Sequence, residues 1–122
     1  MNPKKRDNFL KALDSLEEAI ALPIENQRDI AGIIKNFEFV YELGWKFLKA
    51  YLEDQGMESG SPKDVLTKAF QSKIINDEKI WLEIIQARNL SVHTYDRELA
   101  EKLVSNIKND YMNSFRELKN IH

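Results

Sequence analysis

No cysteine occurs in the 122 residues, so the chain offers neither a disulfide nor a thiolate metal ligand, which fits a reducing compartment. Glycine and proline are scarce, four and three residues, and no stretch sustains the alternation of apolar and polar residues typical of strands. A long apolar run is missing too. The basic start, Met1-Asn-Pro-Lys-Lys-Arg-Asp7, leads into no segment suited to a signal peptide or a membrane span. These absences place the expected protein in the cytoplasm, with no membrane partner. A surplus of positive charge is also lacking: the formal net charge of −2 excludes a broad basic face that grips many phosphates at once. Any nucleic-acid role needs a local site. With only two histidines, no pair at ligand spacing, no calcium-loop pattern and no glycine-rich phosphate loop, neither a metal nor a cofactor is expected.

What is present is apolar periodicity. With 43% hydrophobic and 31% charged residues the composition is that of a globular chain, and at this length one core, hence a single domain over residues 1–122, is expected. Apolar residues recur at steps of three and four, which predicts an all-α, up-and-down bundle of about five helices. The first runs from Lys4 to Ala21 on the stripe Phe9, Leu10, Leu13, Leu16 and Ile20, and Pro23 opposes its continuation. The second spans about Glu25 to Gln55, closed by Gly56. Phe39, Leu43, Trp45 and Leu52 lie outside its main stripe, so it is apolar on several sides and reads as the central helix. Ser61 caps a short third helix with Pro62 at its first position. The fourth starts at Asn76-Asp77-Glu78 and runs toward Arg88. The last follows Asp96, burying Leu99, Leu103, Ile107, Tyr111, Phe115 and Leu118.

The unusual cluster is Arg88-Asn-Leu-Ser-Val-His93-Thr-Tyr95, which gathers a fixed cation, an imidazole and a phenol. In an unbroken helix Arg88 and His93 would point about 140° apart. Weak helix formers at Ser91-Val-His-Thr94, just before the Asp96 cap, predict that the helix ends or kinks there and lets both groups open onto one cleft. A guanidinium binds phosphate oxygens bidentately, and an imidazole exchanges a proton near neutrality, so the pair suits metal-independent RNA cleavage. Spacing alone leaves the plainer reading open, an arginine in a surface ion pair and a histidine capping or packing between helices.

Glu38, Glu42 and Lys46 fall on one face of the second helix. They read either as solvated ion pairs or, for Glu38 and Glu42, as carboxylates facing the Arg88/His93 groove. Trp45 and Trp81 read as core or interface anchors, Lys63, Lys68 and Lys73 as a solvated strip, and His122 as a tail.

The Arg88-x-x-x-x-His93-x-Tyr95 pattern with Asn89 after the arginine resembles the signature of HEPN domains, particularly HepT-like toxins. Phe37-Glu-Phe-Val-Tyr-Glu-Leu-Gly-Trp-Lys46, Leu48-Lys-Ala-Tyr-Leu-Glu-Asp-Gln-Gly56 and Ser61-Pro-Lys-Asp-Val-Leu66 resemble the branch known as nucleotidyltransferase substrate-binding proteins. The likeness spans residues 5 to 120, nearly the whole chain. It implies a homodimer, or a larger heteromer, in which two motifs form a composite ribonuclease site, and a separately encoded minimal nucleotidyltransferase that neutralises it by AMP transfer. On that resemblance Arg88 and His93 are catalytic, Asn89 is supporting and Tyr95 is the AMP acceptor. The alternative it carries is a non-enzymatic substrate-binding subunit of the same enzyme.

Overall fold

The computed structural model describes residues 3–122; the first two residues of the basic start lie outside the described residues. Four of the helices, α2 to α5, begin where a short polar side chain satisfies an amide that the helix itself leaves without a partner. α1 covers Lys4–Ala21, buries Phe9, Leu13 and Leu16, and ends before Pro23. α2 covers Gln27–Asp54; Asn26 caps it by accepting from the Asp29 N–H, so it starts two residues after the expected Glu25. Its C-terminal end is closed by Gly56 at φ 84° and by the Met57 N–H donating to Leu52 O at 2.8 Å.

α3 covers Pro62–Gln71, with Ser61 accepting from Asp64 N. Lys68 of the expected solvated strip donates to Glu58 O at 2.7 Å and to Asp64 at 3.2 Å, which ties the preceding loop to the helix. α4 covers Glu78–Leu90 behind the Asp77 cap, and a single 3₁₀ turn, Ser91–His93, follows it. α5 covers Arg97–Asn106 behind Asp96, and a π-helical turn, Ile107–Tyr111, joins it to α6, Met112–Glu117. No strand occurs among the described residues. The architecture is the expected all-α bundle, with α5, the π turn and α6 forming the fifth rod.

The π turn was not foreseen. The stripe Leu99, Leu103, Ile107, Tyr111 and Phe115 steps by strict fours. On an ideal α-helix each such step drifts about 40°, or roughly 160° over the run. One wide turn takes up part of that drift and keeps Ile107, Tyr111 and Phe115 all buried.

α2 forms the axis. Phe9 stacks on Phe47 at 6.0 Å, while Phe37 meets Tyr111 and Phe115 at 6.1 Å each. Trp81 meets Phe115 edge-on at 5.7 Å. The central helix therefore touches α1 on one side and the α5–α6 rod on another, as its wide apolar circumference requires. Gly44 makes the α1 contact close, because a Cβ there would sit 3.2 Å from Phe9 Cε1. With these apolar faces fixed, Glu38 and Glu42 are left facing the end of α4.

Candidate functional site at the end of the fourth helix

The last turn of α4 carries Arg88, where a cation also complements the negative end of the helix dipole. The guanidinium turns toward α2. Arg88 Nη1 lies 3.1 Å from Glu38 Oε2, and Nε lies 3.8 Å from Glu42 Oε1. The second distance is an ion pair without a hydrogen bond, and the buried Nε–H has no hydrogen-bond partner among the described residues. Glu42 is itself oriented by Trp45, whose indole N–H donates to Oε2 at 3.2 Å. Lys46 lies 6.0 Å from the Trp45 ring centroid. Two carboxylates thus surround one guanidinium, and the isolated protomer presents a locally anionic cluster.

Ser91 joins the two helices. It is 4% exposed, and its Oγ lies 2.6 Å from Glu38 Oε2, 2.7 Å from Arg88 O and 3.2 Å from Arg88 Nη1, which donates to it. A hydroxyl has one proton to share between the carboxylate and the carbonyl. Sequence reading gave this residue no role beyond weak helix formation. Its position three residues after Arg88 signals the bond to Arg88 O, but nothing local signals Glu38. Tyr41 is buried on α2 beside this cluster. Burial, and then the Glu42 carboxylate, push its phenol above the ordinary value, while Arg88 opposes them.

The helix ends where the weak formers predict, and the 3₁₀ turn carries His93 outward. His93 and Tyr95 are both exposed, Tyr95 to 84%. Tyr95 Oη lies 3.3 Å from His93 Nδ1, and the rings meet edge-on at 5.8 Å. The Asp96 N–H closes the turn on His93 O at 3.1 Å. Asn89 is exposed on the last turn of α4. Among the described residues, no hydrogen bond or ion pair joins Arg88 to His93 within the protomer. The cation is engaged with α2, and the imidazole pairs with the phenol beside solvent.

Leu90 and Val92, 50% and 64% exposed, flank these groups, so the segment presents apolar as well as polar surface. A cleft between α4 and α5, lined by Ala87, Leu90, Leu99, Leu103 and Tyr111, lies beside it but contains neither Arg88 nor His93. Among the described residues, no group of three or more His, Cys, Asp or Glu is placed to hold a metal ion. No helix among the described residues is long and apolar enough to cross a membrane.

Comparison with known proteins agrees with this architecture. The family described as nucleotidyltransferase substrate binding protein like matches residues 4–121. The chain is 36% identical over 83 residues to a probable ribonuclease HepT of Haemophilus influenzae; the match covers 64% of this chain and 57% of that relative. A crystal structure from Thermus thermophilus superposes with a TM-score of 0.83 at 32% identity, covering 90% of this chain and 94% of the other. A second, from Haemophilus influenzae, is described as the fold of a substrate binding domain of a nucleotidyltransferase. It gives a TM-score of 0.81 at 30% identity, covering 91% of this chain and 93% of the other.

Proposed function

The chain belongs to the nucleotidyltransferase substrate binding protein like family, and on that premise we propose that it is a HepT-like toxin, a metal-independent ribonuclease neutralised by AMP transfer to Tyr95. The observation that carries this reading is the exposed His93–Tyr95 pair on the turn that follows Arg88, which puts an imidazole and a modifiable hydroxyl on one surface. Likeness to a probable ribonuclease HepT supports it. Its partner is a separately encoded nucleotidyltransferase, and its substrate is RNA.

In this reading His93 takes the proton of a ribose hydroxyl or supplies one to the leaving oxygen. Arg88 stabilises the charge that develops on the phosphate, and Asn89, exposed on the same turn, supports the groove. Glu38 and Glu42 hold Arg88 at its aim. Because Arg88 and His93 do not meet within one protomer, the catalytic groove is composite: a two-fold homodimer presents the Arg88 of one subunit near the His93 of the other. The test is incubation of the purified protein with RNA in chelator. Cleavage is expected from the wild type and lost in Arg88→Ala and His93→Ala; equal activity in all three rejects the catalytic assignment.

A second reading is a non-catalytic subunit that presents a substrate to the nucleotidyltransferase. It is favoured by the capture of Arg88 between Glu38 and Glu42, which leaves an anionic cluster poorly suited to phosphate. It predicts a stable complex with that enzyme and no RNA cleavage by the wild type.

A further inference from the structure

We propose that His93 is also the general base for the modification of its own neighbour, accepting the Tyr95 phenolic proton as Tyr95 attacks a nucleoside triphosphate. This inference rests on the reading of Tyr95 as the AMP acceptor and deepens it. A neutral phenol is a poor nucleophile, since at neutral pH only about one in a thousand is ionised at an ordinary value near 10. An adjacent base removes that obstacle.

The geometry names the base. Tyr95 Oη has His93 Nδ1 at 3.3 Å, a loose contact of the kind that tightens when a reacting complex closes around it. Other charged side chains of the segment are engaged elsewhere. Asp96 caps α5 through the Leu99 N–H, Arg97 pairs with Glu101 at 3.2 Å, and Arg88 is held by α2. The 3₁₀ turn and the bond from the Asp96 N–H to His93 O fix residues 93 and 95 on the same side of the chain. Tyr95, at 84% exposure, meets an incoming enzyme without any rearrangement of the bundle.

The step balances. The Tyr95 Oη–H bond breaks and its proton passes to His93 Nδ1. A bond forms between Oη and the α-phosphorus of the triphosphate bound by the partner enzyme, the bond from that phosphorus to the bridging oxygen breaks, and pyrophosphate leaves. The imidazolium then returns its proton to solvent. A product phosphodiester places bulk and negative charge beside His93, where the RNA phosphate has to approach. One residue therefore assists the reaction that silences it.

The decisive experiment mixes the full chain with its nucleotidyltransferase, magnesium and ATP labelled at the α-phosphorus, and follows label on Tyr95 by gel and mass spectrometry. His93→Ala is expected to be labelled about 100-fold more slowly than the wild type, and free imidazole in the buffer is expected to restore part of the rate. Labelling of His93→Ala at the wild-type rate, or a slow rate that imidazole leaves unchanged, overturns the role of His93 while leaving Tyr95 as the acceptor. Absence of label from the wild-type Tyr95 overturns both this inference and the reading beneath it.

Discussion

Ser91 Oγ lies 2.6 Å from Glu38 Oε2, joining the end of α4 to the middle of α2 across 53 positions of sequence. Because Arg88 Nη1 reaches both partners, this hydroxyl closes a three-membered polar contact at the centre of the candidate site. Ser91→Ala leaves Glu38 and Arg88 partly unsatisfied in a half-buried place, and a loss of about 1–2 kcal/mol is expected by urea unfolding. Ser91→Thr keeps the hydroxyl and is expected to retain most of that stability together with RNA cleavage. If alanine and threonine variants unfold at the same midpoint, the hydroxyl does not hold the contact.

The two carboxylates are unequal partners of Arg88. Glu38 is at hydrogen-bonding distance, whereas Glu42 is at 3.8 Å and already accepts from Trp45. A double-mutant cycle should therefore give a larger coupling for Arg88 with Glu38, about 1 kcal/mol, than for Arg88 with Glu42. Glu38→Gln and Glu42→Gln, each combined with Arg88→Met, are the variants to unfold. A larger coupling to Glu42 contradicts the geometry.

Two glycines of α2 should respond to alanine in opposite directions. At Gly32 a Cβ meets nothing within 4 Å among the described residues, so Gly32→Ala is expected to raise stability by about 0.5–1 kcal/mol through helix propensity. At Gly44 a Cβ meets the fully buried Phe9 ring, which is locked against Phe47. Crowding there is expected to outweigh propensity and cost about 1 kcal/mol or more. Thermal unfolding of the two variants side by side tests the pair.

Acid should weaken the tie between α1 and α6. Arg116 donates to both oxygens of Glu17, at 2.8 and 2.6 Å, and this hydrogen bonding holds the Glu17 carboxyl below its ordinary range against the opposing cost of burial. A carboxyl lowered on folding binds fewer protons in the folded state. Its contribution is thus complete above the unfolded value, near 4, and is lost as pH falls through the lower folded one. Glu17→Gln should be less stable than the wild type by up to about 1 kcal/mol at neutral pH. The gap should close below pH ~4, and a gap independent of pH would count against the ion pair.

The caps were legible because their chemistry is local. Ser61, Asp77 and Asp96 each accept from the amide three residues ahead, and the apolar stripes repeat every three or four residues, so the bundle followed from neighbours along the chain. Asn26 was passed over because the helix was expected to begin at about Glu25, which puts the capping residue inside it. The π turn stayed hidden since no residue type marks it, and only the accumulated drift of a four-residue stripe hints at it.

The candidate site divides along the same line. By itself the sequence determined which groups are present and that α4 stops just before His93, since weak helix formers followed by a capping aspartate act within a few residues. Only the tertiary structure decided that Arg88 turns to Glu38 and Glu42 rather than to His93, and that Ser91 links them. Those choices depend on how α2 is rotated about its axis, and that rotation is set by the packing of Phe9, Phe37, Phe47, Tyr111 and Phe115 far along the chain.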